Sequence, residues 1–160
     1  MNGRPQSASL ATLAVAGLVL MADQISKHLA LRHLPLAVST AFLPGLLRLH
    51  RVGNSGAAFS LLSGNSTPLA LFSVAVCAGL IVWLLRQPPL SPWQILAFGL
   101  LLGGAAGNGL DRLRLGEVVD FLELVPIRFP IFNLADVAIN LAVLCFAADL
   151  LHRRQHRGDS

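Results

Sequence analysis

The sequence predicts an all-α membrane protein: a bundle of four transmembrane helices with one small extramembrane module of β character. Three observations predict it. Of the 160 residues, 54% are hydrophobic and only 12% charged, about half the ~25% charged share usual in soluble domains, and mean hydropathy is +0.67. Four apolar runs, at about 9–31, 68–85, 93–110 and 131–151, approach the ~20 residues a helix needs to cross ~30 Å of hydrocarbon. The polar residues that interrupt these runs cluster near their ends instead of spreading along them. Residues 1–160 read as one integral membrane domain.

The first run begins after a polar stretch with Arg4. A basic start followed by an apolar core also describes a cleaved signal peptide, but the hydrophobic pattern continues past Asp23 and Lys27 to Leu31. Asp23 and Lys27 stand four apart with the acid first, the favourable order for a pair on one helix face. Residues 33–66 form the extramembrane module. Pro44-Gly45 signals a turn, and Leu47, Leu49 and Val52 alternate with Arg48, His50 and Arg51 over part of their length, as a half-buried strand would. The module ends in Asn54-Ser55-Gly56-Ala57-Ala58-Phe59.

The second run ends at Arg86, and Gln87-Pro88-Pro89 makes a tight connector. Trp93 stands where an interfacial aromatic would anchor the third span. Gly99, Gly103 and Gly107 recur every four residues, a stripe that lets another backbone approach closely. Gly104, Asn108 and Asp111 share an adjoining face. A connector, Val118 to Asp136, leads into the fourth run, where Asn133, Asp136 and Asn140 fall on one expected helix face.

In an up-and-down bundle the ends of spans one and three and the starts of spans two and four lie on the same side. Asp23, Asn54, Asn108, Asp111, Asp120, Asn133 and Asp136 therefore converge at one interface. The other side receives the termini and the Pro88-Pro89 connector. Counting arginines and lysines does not orient the bundle, although their density per loop residue favours a cytoplasmic location for the plain side.

Carboxylates beside hydrocarbon are costly and point to function. Two of them held close cannot both ionise easily, so one keeps its proton and the pair can act as base and acid toward a water. Asp120 and Asp136 are the candidates, with Asn108 and Asn133 placed to orient them. Asp111 with Arg112 reads equally as a structural ion pair between spans or as a substrate contact. Glu117 and Glu123 read as solvated. Lys27, the only lysine, leaves a second mechanism open, a Ser–Lys hydrolase using Ser60. A non-enzymatic subunit binding an ion or lipid through the same cluster also remains open.

The net charge of +4 is scattered and lacks the basic stripe of a nucleic-acid binder. Cys77 and Cys145 lie in apolar runs without a second Cys or a His at ligand spacing, so they read as small buried hydrophobes and not as zinc ligands. His152 and His156 sit in a basic tail without a carboxylate partner. No metal or cofactor is expected.

Asp23-Gln24-Ile25-Ser26-Lys27, Asn54-Ser55-Gly56-Ala57-Ala58-Phe59, Gly107-Asn108-Gly109-Leu110-Asp111-Arg112, Val118-Val119-Asp120-Phe121 and Phe132-Asn133-Leu134-Ala135-Asp136 resemble, in order, the motifs of bacterial lipoprotein signal peptidase, the type II signal peptidase. The resemblance implies an aspartic endopeptidase of the bacterial inner membrane. It would remove the signal peptide from diacylglyceryl-modified prolipoproteins, cleaving before the lipidated cysteine, and would be inhibited by globomycin. It implies Asp120 and Asp136 as catalytic, with Asp23, Lys27, Asn54, Gly56, Asn108, Asp111, Arg112, Asn133 and Ala135 binding substrate or supporting the site. It also implies a periplasmic β-element, cytoplasmic termini, an active site at the periplasmic interface and a monomer in contact with membrane lipid. Two departures stand out. Gly109 replaces a bulky apolar residue and is expected to loosen the end of span three. The connector from Phe121 to Pro130 is short and lacks a tryptophan before its Phe-Pro step.

Overall fold

The computed structural model describes residues 3–56, 66–86 and 88–158. Ala57, Ala58, Phe59 and Ser60, singled out above, lie outside the described residues, as does the side chain of His156. Seven elements follow in order: α1 (Gly3–His33), β1 (Ser39–Leu43), β2 (Leu47–Asn54), α2 (Thr67–Leu85), α3 (Pro92–Leu115), β3 (Val118–Leu124) and α4 (Leu134–Gly158). All four helices are long and apolar enough to cross a membrane. Many of their large side chains face outward, among them Leu18, Leu71, Phe72 and Leu144, as helices surrounded by lipid require.

Helix α3 is central and packs against α1, α2 and α4. Its glycines explain how. A methyl group on Gly99 would fall 2.9 Å from the Thr12 carbonyl oxygen, and one on Gly103 would fall 2.7 Å from that of Ala16. Gly104 meets the Ala135 carbonyl in the same way. The stripe thus brings α1 to backbone distance on one face, while Gly104 brings α4 on the next. Gly109 does not loosen the helix: it is buried against Ser73 of α2, and α3 runs on unbroken to Leu115. At the other end of the bundle Trp83, Phe98 and Phe146 stack in a chain, with ring centroids 4.6 and 4.9 Å apart.

Local chemistry sets the helix ends. Ser91 caps α3 in a reciprocal capping box with Gln94, and Pro92 occupies the first turn. Gly116, at φ 76°, closes the helix in the left-handed conformation that glycine adopts without strain. The start of α4 differs from expectation. Residues 131–133 are extended, because Phe132 exchanges backbone hydrogen bonds with Leu122 at 3.0 and 2.9 Å. Asn133 is therefore the cap and not a helix-face residue: its Oδ1 accepts from Asp136 N–H at 3.0 Å, and its own N–H donates to Asp136 Oδ2 at 3.2 Å.

The β character expected within 33–66 is present, and β3 adds to it. The sheet has order β1-β2-β3, antiparallel throughout. Pro44 and Gly45 form the β1–β2 turn, with Leu46 N–H donating to Leu43 C=O at 3.0 Å and Gly45 at φ 75°. Strand β3 lies inside the stretch read above as a connector. It is buried over Val118–Phe121, so it lacks the alternation that marks a strand with one wet face. The register shifts between Leu49 and Val52, where His50 and Arg51 together oppose Phe121, a β-bulge.

Three further readings change. Glu123 is not simply solvated: it accepts from Ser39 Oγ at 2.9 Å and faces His50 Nδ1 at 3.2 Å. Cys77 and Cys145 are free but half-buried. The plain end of the bundle is not plain. Buried Asp149 accepts from Ser91 Oγ at 2.5 Å and pairs with Arg153 at 2.8 Å, tying the start of α3 to the end of α4.

Candidate active site

The convergence expected from the parity of the spans is present at one end of the bundle. Lys27 is its hub. It is 2% exposed, and its Nζ lies 2.9 Å from Asp23 Oδ2, 2.9 Å from Asp111 Oδ2 and 2.9 Å from Asn108 Oδ1. All three ammonium donors are therefore satisfied. Asp111 pairs with Lys27 across the α1–α3 interface and not with its neighbour Arg112.

Each of the three acceptors reaches another element. Asp23 Oδ1 accepts from Ala135 N–H at 3.0 Å, placing a carboxylate at the start of α4, where the helix dipole favours it. Gly107 permits this, since a methyl group there would collide with Asp23 Oδ2. Asp111 Oδ2 accepts from Val119 N–H at 3.3 Å and so anchors β3. Asn108 Oδ1 accepts from Asn133 Nδ2 at 3.1 Å, while its Nδ2 donates to Asp136 Oδ1 at 2.8 Å.

The two candidate aspartates are joined through these amides. Asp120 accepts from Asn54 at 2.9 Å on Oδ2 and from Asn133 at 2.6 Å on Oδ1. Asp136 is held by Asn108 and by the backbone N–H of Asn133. Asn133 therefore touches both. Both aspartates line one cavity of about 690 Å³, together with Asn54, Gly56, Asn108 and Arg112. Its other wall is apolar, formed by Phe129, Ile131, Val137, Leu141 and Leu144.

Asp120, in β3, is 2% exposed. Burial pushes its carboxyl up to about 6; the amide donors of Asn54 and Asn133 and the charge of Lys27 oppose the rise, and the neighbouring Asp136 adds to it. Arg112 donates to the Asn108 carbonyl at 3.3 Å and the Gly56 carbonyl at 3.1 Å. Its Nε is a buried N–H without a partner among the described residues.

The sequence-derived residues thus fall into two layers. Asp120, Asp136, Asn54, Gly56, Asn108 and Arg112 face the cavity, whereas Asp23, Lys27, Asp111, Asn133 and Ala135 stand behind them. Gln24 was missed: it donates to Asp111 Oδ1 at 3.0 Å and to Asp23 Oδ2 at 3.2 Å. Its signal was its place between Asp23 and Lys27, one residue around the helix. Asn140 lines the cavity, but its Nδ2 donates to its own helix at the Asp136 carbonyl. Among the described residues no group of three or more His, Cys, Asp or Glu could hold a metal ion.

A multi-pass helical bundle in which buried Asp120 and half-buried Asp136 face a common cavity at one end is the framework of an integral membrane protein with a polar site. A protein-family model described as signal peptidase (SPase) II matches residues 15–152. The lipoprotein signal peptidase of Parasynechococcus marenigrum is 54% identical over 142 residues, covering 89% of this chain and 89% of the relative. That of a Synechococcus species is 51% identical over 143 residues, covering 89% and 94%. A bacterial membrane enzyme solved by the in meso method at 2.3 Å superposes with a TM-score of 0.82 at 28% identity, covering 91% of this chain and 90% of that one. The chain belongs to the signal peptidase II family and is a peptidase.

Two outcomes test the site. Lys27→Met leaves two buried carboxyl groups without their cation, and breaking such a pair costs about 3–5 kcal/mol; unfolding in detergent should show a loss of that size, and an unchanged midpoint would contradict the hub. Asp120 should titrate with a midpoint near 6 by carbon NMR of its carboxyl group, and lower in Asp136→Asn, which removes the like charge. Because its folded value is raised, Asp120 favours the fold fully below the unfolded value near 4 and loses that contribution as pH rises to about 6. The wild type should therefore lose stability across that window relative to Asp120→Asn.

Proposed function

We propose that the chain is an aspartic endopeptidase that removes the signal peptide from diacylglyceryl-modified prolipoproteins, cleaving before the lipidated cysteine. The observation that carries this reading is the pair Asp120 and Asp136, facing one cavity and bridged by Asn133 and Asn108. The raised value of Asp120 supports its holding the shared proton. The ionised partner takes a proton from a water as that water attacks the scissile carbonyl. The protonated carboxyl then hydrogen-bonds the developing oxyanion, and a proton passes to the leaving amine.

The cavity suits a substrate with one polar and one apolar part. The peptide carbonyl meets the aspartates, while the acyl chains lie along Phe129, Val137, Leu141 and Leu144. Leu141 and Leu144 are themselves exposed on α4, so this wall continues into the lipid-facing surface. The Ser–Lys reading is disfavoured because all three donors of Lys27 are already engaged. Water is the nucleophile, and no metal or cofactor enters. The enzyme works as a monomer in the bacterial inner membrane, with its termini cytoplasmic and its site at the periplasmic interface.

Asp120→Asn and Asp136→Asn keep size and polarity but remove the acid–base function. Each should lower turnover of a diacylated prolipoprotein by about a thousandfold or more, since acid–base steps contribute 10²–10⁴, while substrate binding persists. Near wild-type cleavage by Asp120→Asn alongside a dead Ser60→Ala would overturn the aspartic mechanism. The orientation is checked separately: reporter fusions should place the C-terminus inside and a reporter within 33–66 outside, and an external C-terminus would invert the site.

A further inference from the structure

The sheet ends, away from the site, in an apolar tip. There the β1–β2 turn meets the end of β3: Leu47 pairs with Leu124, and Val125 N–H donates to the Leu46 carbonyl at 3.0 Å. Phe42, Leu43, Leu46, Val125 and Ile127 are exposed, Phe42 and Ile127 by 57% and 58%. None of the five lines the cavity that holds Asp120 and Asp136. A contiguous exposed apolar patch outside the spans marks an interaction surface.

Its surroundings indicate what covers it. Beside the tip a groove of about 610 Å³ is lined by Arg48, Arg128, Ile127 and Phe129. Both arginines are exposed, and neither closes an ion pair among the described residues. Glu123, the acid in the groove, is engaged with Ser39 and His50. The base of the sheet is pinned to the ends of the spans, through Arg51 donating to the Leu31 carbonyl at 2.9 Å and Val119 N–H donating to Asp111. Phe129 lines both this groove and the site cavity, which continues to the exposed Leu141 and Leu144 of α4. The tip is thus continuous with lipid-facing surface.

We infer that this tip is a membrane anchor: Phe42, Leu43, Leu46, Val125 and Ile127 insert among lipid acyl chains while Arg48 and Arg128 bind lipid phosphates. Apolar side chains with free cations beside them suit that boundary, where the charge meets the headgroups and the hydrocarbon stays dry. Anchored there, the strand that carries Asp120 is held at both ends, by the spans and by the leaflet. The inference rests on the membrane-spanning helices and not on the peptidase mechanism.

The test is site-directed spin labelling of the full chain in lipid nanodiscs, in a Cys77→Ala/Cys145→Ala background. Single cysteines replace Phe42, Leu46 or Ile127, with Leu71 as a lipid-facing reference and Arg154 as an aqueous one, all five being exposed positions. Labels at 42, 46 and 127 should collide preferentially with oxygen, as at Leu71, with a ratio of oxygen to nickel-chelate accessibility severalfold above that at Arg154. Chelate accessibility matching Arg154 would overturn the anchor, as would exclusion of both reagents, which would mean a protein surface covers the tip.

Discussion

One ammonium group organises the end of the bundle that holds the cavity. Lys27 enters a region with almost no water, and a cation there is tolerated only if every donor is met and charge is balanced nearby. The two carboxylates and one amide that meet it are not local conveniences. Asp23 goes on to hold the start of α4, Asp111 the start of β3, and Asn108 the pair of cavity-facing aspartates through Asn133 and Asp136. Four segments distant in sequence are thereby referenced to a single nitrogen on α1.

This arrangement needs close approach as much as charge. Side chains as short as Asp and Asn bridge helices only when the backbones nearly touch, and the glycines of α3 supply that proximity. Gly107 is the clearest case, because the space a methyl would fill is the space Asp23 occupies. In lipid the gain from helix contact comes from packing and interhelical hydrogen bonds and not from expelling water. The small-residue stripe and the polar network therefore depend on each other. Asp120 sits at the edge of this network, where amide donors hold its oxygens but burial still raises its proton affinity.

Much of this was legible in the sequence because its signals are periodic. Four long apolar runs mark the spans, and the parity of their ends gathers Asp23, Asn108, Asp111, Asp120 and Asp136. What escaped lacked periodicity. Val118–Phe121 is buried residue after residue and so carries no alternation. Asn133 looked like a helix-face residue because its spacing to Asp136 fits a helix, but three residues is also the spacing of a cap and its partner. In the sequence Asp111 stands beside Arg112, but adjacent residues on a helix point apart, and its partner, Lys27, lies on another span. The Ser91–Asp149 contact joins residues 58 apart through one hydroxyl, which no pattern announces.

The bulge in β2 has a consequence of counting. Opposite β3, Leu47 and Leu49 share a face with Leu124 and Leu122, and Val52 and Asn54 share that same face with Asp120 and Val118. Side chains alternate strictly along a strand, so if the same sequence paired without the bulge Arg51 and Gly53 would stand in those places and Asn54 would point to the opposite side. The amide that holds Asp120 Oδ2 is delivered there by a shift of phase. Inserting one further residue between Val52 and Asn54, in regular pairing, would leave every side chain of the site intact and yet turn Asn54 away from it.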